Sequence, residues 1–148
     1  MRLRPLLAGS LIAVVAAGSL SPALAKGKPK SKPAPIVGSY TATALPDPTG
    51  DMPAANKGKC ASMTPTGRTT HEFKVPAAGT LTVSLNNKLD WSLDVRNADG
   101  VLGDSDGGSP VSAESVEVAF KKKDTVVIGA CNLTGEPSVT VSYTFTYK

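Results

Sequence analysis

From Thr69 onward the chain alternates apolar and polar residues with a period of two. Thr80 to Leu85 reads TLTVSL, with Leu81, Val83 and Leu85 on one face and Thr80, Thr82 and Ser84 on the other. In DWSLDV, Asp90 to Val95, the shared apolar face is Trp91, Leu93 and Val95. In SVEVAF, Ser115 to Phe120, it is Val116, Val118 and Phe120. The last segment sets Val139, Val141, Tyr143, Phe145 and Tyr147 against polar partners. Successive side chains of a strand point to opposite faces, so this pattern predicts strands that bury one face and wet the other. No helical period competes with it. GSYTATA, Gly38–Ala44, adds an expected edge strand.

The residues between these segments are turn formers. Ala77-Ala78-Gly79 precedes the Thr80 strand, and Lys121-Lys122-Lys123-Asp124 leads into DTVVIGACN. Asn97-Ala98-Asp99-Gly100 predicts a hairpin turn, because Asn, Asp and Gly tolerate positive φ. Short strands spaced roughly every 8–12 residues predict an all-β fold, an antiparallel β-sandwich of about 7–8 strands over residues 36–148. Residues 45–68, with four prolines, read as a long irregular crossing.

The N-terminus belongs to another class of sequence. Arg2 and Arg4 precede an apolar run from Leu6 to Leu20, then a helix-breaking Ser21-Pro22 and the small-x-small Ala23-Leu24-Ala25. This is the layout of a cleaved secretory signal, residues 1–25, and the run is too short and interrupted for a membrane anchor. Stable membrane insertion is therefore not expected, and a secreted, extracellular location is. Residues 26–35, KGKPKSKPAP, hold four lysines and three prolines and read as an extended basic tail. Such a tail is a solvated spacer, or else a contact for an anionic surface.

Setting these pieces aside changes the charge argument. The whole chain has 16 basic and 12 acidic residues, a net charge of +4 and a pI near 9.1. The signal and tail hold six of the basic residues and no acid, so residues 36–148 are slightly acidic. Nucleic-acid binding by the domain loses its compositional support. The only two cysteines, Cys60 and Cys131, are expected to form one disulfide in an exported chain. They have neither CxxC nor zinc spacing.

The runs HEFKVPAAGTLTVSL, DWSLDVRNADG, SVEVAFKKKDTVVIGACN and SVTVSYTFTY resemble the bacterial pre-peptidase C-terminal (PPC) domain and its stand-alone secreted relatives. The matching features are a "vP" step into "aGtLtvsl", a "Dw-L-v" strand with its "-DG" turn, and a later "tv-i-a" strand. The resemblance covers Thr69 to Tyr147. It implies a jelly-roll-like sandwich that serves secreted hydrolases as a non-catalytic binding or processing module. No peptidase precedes it here.

The candidate chemistry is thin. Gly103-Asp104-Ser105-Asp106-Gly107 fits GxSxG, but GGSP follows it where a nucleophile elbow needs a helix, and the only histidine, His71, precedes the serine. No catalytic residue is expected. His71 shares the parity of Phe73 and Val75 and reads as a partly buried strand residue. Asp94, Asn97, Asp99, Asp104 and Asp106 lie within thirteen residues among glycines, a composition that suits calcium, although neither half matches an EF-hand. Solvated turns explain the same residues. Trp91 has core parity, and Tyr40 on the edge strand is the best exposed candidate for a sugar platform. Asn132-Leu133-Thr134 is a sequon that reads as accidental. The expected function is a secreted, non-catalytic accessory module that binds an extracellular protein or polysaccharide. A calcium-ordered version of the same sandwich is the alternative.

Overall fold

Leu81, Val83 and Leu85 are buried, as are Trp91, Leu93 and Val95, and Val116, Val118 and Phe120. Each predicted alternation therefore becomes a strand with one face in the core. The protein is represented by a computed structural model, which describes residues 31–47, 59–86, 90–105 and 113–148. The expected signal segment, most of the basic tail, part of the long crossing, and Asp106 lie outside the described residues.

The strands are β1 (Ile36–Thr43), β2 (Arg68–Val75), β3 (Gly79–Leu85), β4 (Asp90–Asn97), β5 (Gly100–Ser105), β6 (Glu114–Phe120), β7 (Asp124–Thr134) and β8 (Ser138–Tyr147). They form two four-stranded antiparallel sheets, one ordered β1-β8-β3-β6 and the other β2-β7-β4-β5. The pairs β4–β5, β3–β6, β2–β7 and β1–β8 are nested one outside the next. This is a hairpin rolled up so that its successive pairs alternate between two layers, the jelly-roll arrangement. Only β4 and β5 are consecutive strands that pair directly. Their turn, Asn97 to Gly100, places Gly100 at φ 138°, a conformation that costs glycine little. The other connections carry the chain from one sheet to the other.

Two readings of the sequence need correction here. Gly103, Asp104 and Ser105 belong to β5 and are not loop. Gly103 lies where a Cβ would crowd the methyls of Val116 and Val118 on the facing sheet, so a core position is filled by a residue with no hydropathy signal. A bulge between Val95 and Arg96 leaves Leu102 as the extra residue of β5, 39% exposed. The crossing is also less irregular than expected, since it contains a single-turn helix, α1 (Lys59–Ser62), and a 3-10 turn at Pro65–Gly67.

The crossing is held by backbone and side-chain hydrogen bonds. Asn132 faces the core at the end of β7, where its Nδ2 donates to the carbonyls of Ala44 and Glu136, each at 3.0 Å. Its main-chain carbonyl accepts from the Asp47 N–H at 3.0 Å, while its buried Oδ1 has no partner. Ala44 N–H donates to Pro137 O, and Leu45 N–H to Thr66 O. One buried residue thus ties the first crossing to the last turn through its side-chain nitrogen and its main-chain carbonyl. A glycan on Asn132 is incompatible with this folded environment.

Cys60 of α1 and Cys131 of β7 form the expected disulfide, and both are buried. Cys131 lies on the outer face of the β2-β7-β4-β5 sheet, so the bridge pins α1 over β4 and β7. Arg68 Nη1 donates to the carbonyls of Cys60 and Ala61, at 3.2 and 2.6 Å, and satisfies groups the short helix leaves free. The bond closes a separation of 71 residues, which loop-closure entropy values at about 4 kcal/mol. Replacing both cysteines by alanine is expected to lower unfolding free energy by up to this amount in denaturant titrations. An unchanged midpoint and slope would contradict a structural role for the bridge.

Candidate functional site

Among the described residues, the serine and the histidine weighed for catalysis are both engaged in structural contacts. Ser105 Oγ donates to Glu114 Oε2 and accepts from the Ser115 N–H at 3.3 Å. Glu114 is 3% exposed, in the parity of Val116 and Val118. This serine therefore solvates a buried carboxylate at the start of β6, on a strand and not on a nucleophile elbow. His71 is half-buried between two tyrosines. Its ring lies 4.6 Å from Tyr40 at 16° and 5.5 Å from Tyr143 at 29°. Phe73 and Phe145 extend this stack into the core.

Tyr40 is not the exposed platform expected of it. On β1, the inward parity belongs to Ile36, Gly38, Tyr40 and Ala42, and the Tyr40 hydroxyl is buried without a partner. Burial, reinforced by the charge of Asp94, pushes the phenol above the usual tyrosine range. Gly38 makes room for the group, since a Cβ there would overlap the Tyr143 ring.

The five acidic and amide residues suggested for calcium are spread along the β4–β5 hairpin. Asp94 pairs across the strands with Asp104, whereas Asn97 pairs with Gly100 about three residues nearer the turn, roughly 10 Å away. Asn97 Nδ2 donates to Asp124 Oδ2 at 3.0 Å, and its Oδ1 accepts from the Asp99 N–H at 2.9 Å. Asp106 lies outside the described residues. Among the described residues no group of three or more His, Cys, Asp or Glu side chains could hold a metal.

Asp94 has another role. It faces outward from β4, as its parity requires, yet it is fully buried. Arg96 Nη1 donates to its Oδ1 at 2.5 Å, while Oδ2 has no partner. Gly129 on β7 is opposite, and a Cβ there would collide with this carboxylate. Burial raises the pKa of Asp94 above the ordinary 3.8, against the lowering effect of Arg96.

The two outer faces differ in kind. The outer face of the β2-β7-β4-β5 sheet carries Arg68, Glu72, Lys74, Asp94 and Arg96, and α1 covers part of it. The outer face of the β1-β8-β3-β6 sheet carries hydroxyls. In-register pairing aligns Ser39, Ser142, Ser84 and Ser115 in one rank. Val37, Thr144, Thr82 and Glu117 form the next, followed by Thr146, Thr80 and Ala119. Thr41 beside Thr140 and Thr43 beside Ser138 complete the face. Apart from Val37, Glu117 and Ala119, every outward position is Ser or Thr, and no lysine or arginine is among them. Neighbouring ranks repeat at about 4.8 Å across strands and about 6.8 Å along them. The polar half of each alternation was legible in the sequence. That four such halves share one sheet was not.

Compared with models of known protein families and with curated protein sequences, the chain matches none.

Two outcomes follow from the Asp94 geometry. A raised native pKa favours the protonated folded state, so its stabilising effect is present below the unfolded value and lost as pH rises through the folded one. Relative to Asp94→Asn, the wild type should therefore gain stability as pH falls from 7 towards 4, measured by denaturant titration; a relative loss would show that Arg96 dominates. Calcium addition should leave the melting temperature unchanged, and a rise would mean that residues beyond those described complete a site.

Proposed function

We propose that this protein is an exported, non-catalytic binding module that presents the outer face of its β1-β8-β3-β6 sheet to an uncharged extracellular polysaccharide. The observation that carries this reading is the ranked Ser/Thr surface. Such a face places donor-and-acceptor hydroxyls beside threonine methyls, and it has almost no charge to desolvate on contact. Solvent-facing sheets are ordinarily studded with charges that oppose association, and lysine is the commonest guard on exposed edges. Here that guard is missing over a whole face. A neutral, hydroxyl-rich polymer matches it in both polarity and charge.

Further support comes from the rest of the chain. The serine, histidine and aspartate that could have done catalysis are engaged in packing, in the aromatic stack or in ion pairing. The signal-like leader and the disulfide fit an extracellular setting. The PPC-like residues between Thr69 and Tyr147 point to an accessory role of the same kind, as a resemblance carried by those quoted residues alone.

The test is retention on insoluble neutral polysaccharides, such as cellulose and chitin, compared with a variant carrying Thr82→Lys and Ser142→Glu at the centre of the face. Both positions point away from the core, so the variant should melt like the wild type. Retention of the wild type and a loss of about tenfold or more in the variant is the expected result. Absence of wild-type retention on every neutral polysaccharide tried, or equal retention of the variant, would remove this assignment.

A further inference from the structure

The sandwich has two ends, and its lysines are unequally divided between them. Strands β6 and β8 flank β3 and run in the same direction, with Phe120 and Tyr147 both pairing with Gly79. They therefore leave the sheet at the same level, two strand spacings or about 9.6 Å apart. Lys121, Lys122 and Lys123 follow Phe120, and Lys148 follows Tyr147; all four are exposed. The Lys148 N–H donates to Ala78 O at 3.1 Å, which fixes the chain beside the β2–β3 turn. On the far side of β8, Ile36 pairs with Phe145. The residues before it, including exposed Lys32, come in at this same end.

Acids are few here. Asp124, which accepts from the Asn97 amide and the Thr125 N–H and keeps its charge, and Asp99 on the β4–β5 turn are the two described acids at this end. The described acids Asp47, Asp90, Glu114 and Glu136 lie at the opposite end of the sandwich. Charges about 10 Å apart are within one Debye length at roughly 0.1 M salt, so the lysine fields add instead of acting singly.

We propose that this end, formed by Lys121, Lys122, Lys123, Lys148 and Lys32, is a second interaction surface that binds a linear phosphate polymer carrying one negative charge per repeat. These lysines follow strand ends or precede β1, and no arginine is among them. Lysine ammoniums act as mobile point charges and impose no planar geometry on the acceptor. The partner is therefore selected by its density of monovalent negative charge along a chain, and binding proceeds by release of the polymer's counterions. No large apolar side chain lies in the Lys121–Lys123 turn that could enter a bilayer, which sets the surface apart from a lipid-inserting one. A protein whose body is net acidic can still bind a polyanion here, because five lysines at this end face only two described acids, Asp99 and Asp124. This surface is separate from the hydroxyl face and does not depend on the polysaccharide reading.

The experiment titrates the signal-free chain with linear inorganic polyphosphate at several salt concentrations. The wild type should bind at low salt, with log affinity falling linearly as log salt rises. Changing Lys121, Lys122 and Lys123 together to Gln should weaken binding by about tenfold or more at fixed salt, with the melting temperature kept. A control lowers the net charge equally elsewhere, with exposed Thr41, Ser115 and Ser138 changed to Glu, and should bind within about twofold of the wild type. Equal losses in both variants, or no wild-type binding at low salt, would overturn the proposal. So would tighter binding to vesicles containing phosphatidylglycerol than to polyphosphate, an effect that would assign the surface to lipid.

Discussion

The pairs β4–β5, β3–β6, β2–β7 and β1–β8 are nested around one short turn, Asn97 to Gly100, and that nesting is the constraint from which the remaining structure follows. Once β4 meets β5, the next pairs available are β3 with β6, then β2 with β7, then β1 with β8. Each added pair closes a longer loop, at an entropic cost that rises slowly with its length. The outermost connection is the most expensive, and it is also where the covalent bond and the densest polar ties are placed. Cys60–Cys131, Arg68 on the α1 carbonyls and the three-way bonding of Asn132 all act on the segment between β1 and β2. Thr69 adds a stitch between the two edge strands: its hydroxyl donates to Thr43 O and accepts from Thr43 N–H.

Register turns this topology into two contrasting surfaces. A one-residue slip in any strand would exchange its inward and outward sets. The pairing that buries Leu81, Val83 and Leu85 is therefore the same pairing that aligns Thr82 with Thr144 and Ser84 with Ser142. Core and outer face are consequences of one alignment. The opposite sheet shows what happens when its outer face is covered. Asp94 becomes buried, needs Arg96, and needs a glycine at 129 to leave it space. A charge on the hydroxyl sheet, which α1 does not cover, would carry no such requirement, so the near absence of charge there is not imposed by packing.

The parity of single strands could be read from the sequence because burial acts on each residue independently. Trp91, Phe120 and Phe145 behave as their spacing requires. Pairing partners were less legible, since alternation is identical for any antiparallel neighbour. Gly103 disguised β5 as a loop because the core there is filled by Val116 and Val118 reaching across from the other sheet. Tyr40 departs from its expected exposure for a related reason. Edge position does not by itself mean exposure, because an edge residue of inward parity can still close the side of the sandwich, as Tyr40 does against His71. The aspartate-rich stretch spans thirteen residues of sequence, and its described members Asp94, Asn97, Asp99 and Asp104 extend over several levels of the hairpin.

Net charge misleads for the same reason. Summed over residues 36–148, the acids slightly outnumber the bases, and from that total a polyanion would be expected to be repelled. A fold does not present its total. It presents ends and faces, and an approaching polymer responds to charges within about a Debye length of its path. Because β6 and β8 run parallel to one another on either side of β3, two lysine segments separated by more than twenty residues leave the sheet together. The antiparallel mate of β8 brings the N-terminal segment to the same end. Strand order, more than composition, therefore decides where the positive charge accumulates, and the same nested pairing that closes the core assembles this surface.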